Sequence, residues 1–139
     1  MMQVFRGVTL ALMSLAVFVP GAFAKERLLK CELRQNGPYR GTPPEVVVVY
    51  EAGESRMAVF DSYLKHYERD PVLGKVSRDD SKMFVIRWKV KNMKTVSGQS
   101  MDWRFSLMWN KTNDRARITG KAAVSDDDNN GSGKCKFLK

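Results

Sequence analysis

Histidine is nearly absent from this chain: His66 is the only one among 139 residues. A single imidazole excludes a multi-histidine metal centre and leaves histidine-based acid–base chemistry one candidate. His66 would share a face with Glu68 and Asp70 if its segment were extended, but Lys65 and Arg69 interleave. That is a poor ligand set and reads as a surface histidine among charges. Cysteine is nearly as scarce, with Cys31 and Cys135 alone. No Gly-x-Ser-x-Gly elbow occurs, and Ser-x-x-Lys occurs in no setting that would activate a serine. Paired carboxylates, Glu51 with Glu54 and Asp79 with Asp80, fall in turn-like composition. No window carries a capped apolar stripe of helical period, and after residue 24 no apolar run approaches the ~20 residues of a membrane-spanning helix. Together these absences lead to the expectation of a non-enzymatic protein with no cofactor, not membrane-spanning once processed.

What is present begins with the N-terminus. Arg6 precedes an uncharged stretch from Val8 to Val19, then Pro20-Gly21 and Ala22-Phe23-Ala24. A cation, an apolar core, a helix breaker and small residues at the cleavage positions are the order of a secretory signal. Residues 1–24 are therefore read as a signal peptide and residues 25–139 as a single β domain, secreted or periplasmic. In an exported domain two cysteines near the chain ends are expected to pair. Closing a loop of roughly a hundred residues would contribute about 4 to 5 kcal/mol through loss of unfolded-state entropy.

Alternation of period two dominates the rest. Leu29 to Gln35, Val46 to Tyr50, Arg56 to Asp61 and Val72 to Ser77 read as strands. The clearest signal is Met83 to Lys91, where Phe84, Ile86, Trp88 and Val90 alternate with Val85, Arg87, Lys89 and Lys91. It recurs in Met101 to Trp109, and Arg115 to Val124 and Gly133 to Phe137 complete the set. Residues 62–70 fit either a helical turn or an irregular strand. The expected fold is all-β, a small antiparallel barrel or sandwich of seven to eight strands, with the first and last strands joined by a Cys31–Cys135 disulfide.

The chain carries a net charge of +9, and loss of the leader removes one cation, Arg6, and no acid. Such a surface attracts anions. If Phe84, Ile86, Trp88 and Val90 point inward, then Arg87, Lys89, Lys91, Lys94 and Arg104 collect on the outer face of one hairpin, the candidate anion-binding residues. Trp88, Trp103 and Trp109 fall on the inner face, where they would line a pocket for a small apolar ligand or fill the core. Asp126, Asp128 and Asn130 occupy the first, third and fifth places of a calcium loop, with Gly131 sixth. Phe137 stands where a bidentate Glu belongs, so the alternatives are a low-affinity calcium site and a solvated acidic turn. Asn110 and Asn130 each open a glycosylation sequon, relevant only in a eukaryotic secretory route.

The functional expectation is an exported binding module for anionic envelope or extracellular surfaces. The alternative is an inhibitor or accessory subunit acting on an acidic macromolecule. Nucleic acid fits the charge but not the compartment.

Overall fold

The computed structural model describes residues 25–36, 41–67, 70–94, 98–123 and 128–139. Eight strands and one short helix follow in order: β1 (Arg27–Gln35), β2 (Glu45–Tyr50), β3 (Arg56–Asp61), α1 (Ser62–Tyr67), β4 (Val72–Asp79), β5 (Met83–Lys94), β6 (Ser100–Asn110), β7 (Arg115–Ala122) and β8 (Asp128–Phe137). Each strand pairs antiparallel with the next, and β8 returns to β1, giving a closed barrel. The expected barrel is therefore the observed one, and an open sandwich is excluded. Closure gives every described strand a partner on both sides. Cys31 and Cys135, directly opposed in the β1–β8 ladder, form the disulfide.

The alternation in sequence becomes an inside and an outside. Leu29, Cys31 and Leu33 on β1, Phe84, Ile86, Trp88 and Val90 on β5, and Phe105, Leu107 and Trp109 on β6 are all buried in one core cluster. One irregularity resets the long β5–β6 hairpin. The register shifts between Val90 and Met93, where Asn92 adopts a left-handed φ of 58°. Asparagine tolerates that conformation, and the bulge turns Met93 back into the core.

Residues 62–67 resolve as a single helical turn. It lacks an apolar stripe and is held by its start: the Asp61 carboxylate accepts the Leu64 N–H at 2.7 Å. Leu64 is fully buried against the barrel core, and the Tyr63 hydroxyl donates to the Thr42 carbonyl at 3.0 Å. The β4–β5 turn is built around Asp80, which accepts from Arg78 at 2.6 Å and from the Lys82 and Met83 N–H groups at 2.8 Å. These bonds, that from Arg78 foremost, hold its carboxyl well below the usual aspartate range. A depressed carboxylate stabilises the fold above its unfolded pKa, and the contribution is lost as pH falls through the folded value.

The last strand starts earlier than its composition suggests. The Asp/Asn/Gly stretch reads as a turn through Ser132, yet residues 128–132 pair with Lys121 to Arg117 of β7. Glycine is what lets β8 pack there. A methyl group on Gly133 would overlap the carbonyl oxygen of Glu32 on β1. Gly133→Ala is therefore expected to cost about 1 to 3 kcal/mol through overpacking against backbone that cannot move aside. Chemical denaturation would show it, and an unchanged midpoint would mean that β1 and β8 can separate at this point without loss.

Candidate functional site

The outer wall carries what the interior excludes. Across it, the ladder places Arg56 opposite Lys75, Lys75 opposite Arg87, Arg87 opposite Ser106, and Ser106 opposite Thr119. A second tier, two residues along each strand, places Lys89 opposite Arg104, Arg104 opposite Lys121, and Lys121 opposite Asp128. Directly opposed side chains in antiparallel strands stand about 4.5 to 5.5 Å apart at Cβ. Arg56, Lys75, Arg87, Lys89, Arg104 and Lys121 therefore form one contiguous cationic field, all of them exposed. Together with Leu73 and Asp128 they line a groove of about 650 Å³.

Like charges opposed across strands oppose folding, so the acids nearby matter. Among the described residues only Lys89 of the six has an ion-pair partner, Asp102 at 3.5 Å. Asp102 also accepts the Asn92 N–H at 3.2 Å. A larger depression of about 860 Å³ lies over β1 and β8, where Lys30, Arg34, Lys134 and Lys136 face Glu32, Glu45 and Asp114. Its charges alternate, and Lys30 pairs with Glu32 at 3.6 Å. The smaller groove carries the stronger unbalanced field.

Of the five cations singled out in the sequence, Arg87, Lys89 and Arg104 meet in this groove. Lys91 and Lys94 are exposed farther along β5, around and beyond the bulge, and do not line it. Arg56, Lys75 and Lys121 are additions from three other strands. Nothing near them in sequence signals their position, because only strand register brings them alongside.

The three tryptophans belong to the one core cluster or pack against it. Trp88 donates its indole N–H to Asp61 at 2.7 Å, both groups buried. Trp109 packs edge-on against Phe137 with ring centroids 5.5 Å apart, and Trp103, half-buried, stacks over Phe105 at 6.3 Å. Sequence reading sets Asp79 in a turn beside Asp80, whereas it ends β4 and joins a group at one barrel end that no local pattern signals. Lys111 Nζ lies 2.5 Å from Asp79, which also accepts the Tyr50 hydroxyl at 2.8 Å. Burial pushes the Tyr50 phenol up, and the Asp79 bond adds to it. Burial works most strongly against the Lys111 ammonium, but its hydrogen bonds and charge interactions with Asp79 and Tyr50 together outweigh this and raise its pKa. The three groups satisfy one another, an arrangement that ties β2, β4 and the β6–β7 turn together.

Of the calcium candidates, Asp126 lies outside the described residues. Asp128 and Asn130 sit on β8, and the Asn130 side-chain oxygen accepts from Thr119 at 3.3 Å and Arg117 at 3.4 Å. Asn110 of the other sequon accepts the Thr112 N–H at 2.9 Å. His66 is exposed on α1. Among the described residues no three His, Cys, Asp or Glu side chains gather in a way that could hold a metal ion. No described helix is long and apolar enough to cross a membrane. The barrel itself has the reverse sidedness of a lipid-embedded one, with cations outside and an apolar filling within.

Fold and wall define a class: a disulfide-closed, eight-stranded antiparallel barrel with an apolar interior and a basic outer groove. No family model, curated protein or solved structure matches the chain.

Proposed function

We propose that this protein is an exported, non-enzymatic binding module that docks on anionic surfaces through the outer groove of β3 to β8. The observation that carries the reading is the convergence of six exposed cations, one of which has an acidic partner among the described residues. An incoming anion relieves their mutual repulsion, so the field that opposes folding favours binding. A disulfide between the first and last strands accords with an oxidising compartment, and so does the leader-like N-terminus.

The test is a pair of triple variants assayed on heparin and on anionic vesicles. Arg87→Glu, Lys89→Glu and Arg104→Glu together replace three attractive contacts by repulsive ones. At up to ~1 kcal/mol for each exposed ion pair, the expected loss is about 2 kcal/mol, or roughly thirtyfold in affinity. Reversal of Lys134, Lys136 and Lys139 changes net charge equally but leaves the groove intact, and should weaken binding far less. Both proteins should melt near the parent temperature. Equal losses from the two would show that net charge alone governs binding.

Leu73, 67% exposed within the groove, favours a second reading. An apolar side chain ringed by cations also suits an acidic protein, for which the barrel would act as an inhibitor or accessory subunit.

A further inference from the structure

The groove is not lined by cations alone, and its other members narrow the ligand class. Asp128 closes the second tier beyond Lys121, and the hydroxyls of Ser106 and Thr119 occupy the centre of the first. Asp128 lines the groove without an ion-pair partner among the described residues. For a ligand that is anionic throughout, such as polyphosphate or a charged bilayer face, that carboxylate is a defect. It repels what the six cations attract. A ligand that alternates anionic groups with hydroxyls reverses the sign of its contribution, since an ionised carboxylate is a strong acceptor for O–H donors.

The shape favours a chain over a bilayer or a single small anion. From Arg56 on β3 to Asp128 on β8 the lining spans six strands, about 24 Å measured along the curved wall at about 4.8 Å per strand. A flat bilayer meets a convex barrel wall at a tangent and leaves a groove unfilled, whereas a polymer can lie along it. Leu73 at the β4 side offers an apolar surface suited to the C–H face of a sugar ring. Resting on the anion-docking reading above, we infer that the groove binds a linear acidic polysaccharide: carboxylate or sulfate groups on Arg87, Lys89, Arg104 and their neighbours, sugar hydroxyls on Asp128, Ser106 and Thr119.

Four probes distinguish the sources in titrations of the mature protein at equal charge concentration: polygalacturonate, poly-L-glutamate, polyphosphate and phosphatidylglycerol vesicles. Polygalacturonate and polyglutamate both carry carboxylates, but only the first carries ring hydroxyls. Polygalacturonate should bind about tenfold tighter than polyglutamate, the difference expected of hydrogen bonds to a charged acceptor. Asp128→Ala should weaken polygalacturonate several-fold and strengthen polyglutamate and polyphosphate, opposite signs that a pure charge effect does not produce. Ser106→Ala, on an outward strand position, should weaken polygalacturonate alone, which keeps the test alive if Asp128→Ala perturbs folding. The inference is overturned, with anion docking intact, if all four probes bind equally or polyphosphate or vesicles bind best, in each case dependent on Arg87, Lys89 and Arg104. Binding of none of the four overturns both readings.

Discussion

Replacing Cys135 by serine is expected to lower the unfolding free energy by about 2 to 5 kcal/mol, seen as a lower urea midpoint at a slope set by the surface newly exposed. The bond joins residues 104 apart in sequence, so the reduced unfolded chain gains nearly its full loop-closure entropy. The native side loses less. Seven residue pairs from Leu29–Phe137 to Gln35–Gly131 hold β1 to β8 whether or not the sulfurs are joined. Both cysteines are buried in the core, so serine also places a hydroxyl where sulfur packs against apolar neighbours. The double variant Cys31→Ser, Cys135→Ser should be no less stable than either single one, because it leaves no orphan thiol. A loss below about 1 kcal/mol would show that the reduced chain already keeps its ends together.

Asp61→Ala should cost about 2 to 4 kcal/mol, from two losses of different kinds. One carboxylate oxygen caps α1 through the Leu64 N–H, and the other receives the Trp88 indole N–H. Asp61 is itself 1% exposed, so alanine opens a small void and leaves a buried indole donor without its partner. The cap alone accounts for about 1 kcal/mol; the orphaned donor supplies most of the remainder. Trp88→Phe in the Asp61→Ala background separates the two. Removing the stranded donor should recover part of the loss, giving a coupling energy well above zero in a double-mutant cycle. Strict additivity would mean that the bond between Asp61 and Trp88 contributes nothing to stability. Tryptophan fluorescence follows the same variants, since the indole loses its carboxyl acceptor.

Much of this architecture is written in local pattern. A strand's side chains alternate by geometry, so Phe84, Ile86, Trp88 and Val90 could be set inward, and Arg87 and Lys89 outward, without knowledge of any partner strand. The same reasoning placed Arg104 on the face away from Phe105, and the expectation of export made a bond between Cys31 and Cys135 the natural pairing. Where local pattern misled, a tertiary constraint had overridden composition. Residues 128–132 look like a turn because Asp, Asn and Gly favour turns, but β7 offers them a ladder and the tight approach to β1 requires glycine at position 133. Residues 62–67 show no helical period, because their turn is stabilised from outside, by the Asp61 cap and the burial of Leu64.

The sequence alone thus determined most of the strands, the sidedness of the central hairpin and the basic character of the chain. Only the tertiary structure decided between barrel and sandwich, joined Lys111 to Asp79 and Tyr50, and brought Arg56, Lys75 and Lys121 beside Arg87, Lys89 and Arg104. The physical reason is the same in each case. Which face a strand residue occupies depends on its own backbone, whereas its neighbour across the ladder depends on register, a property of two distant segments that neither encodes by itself.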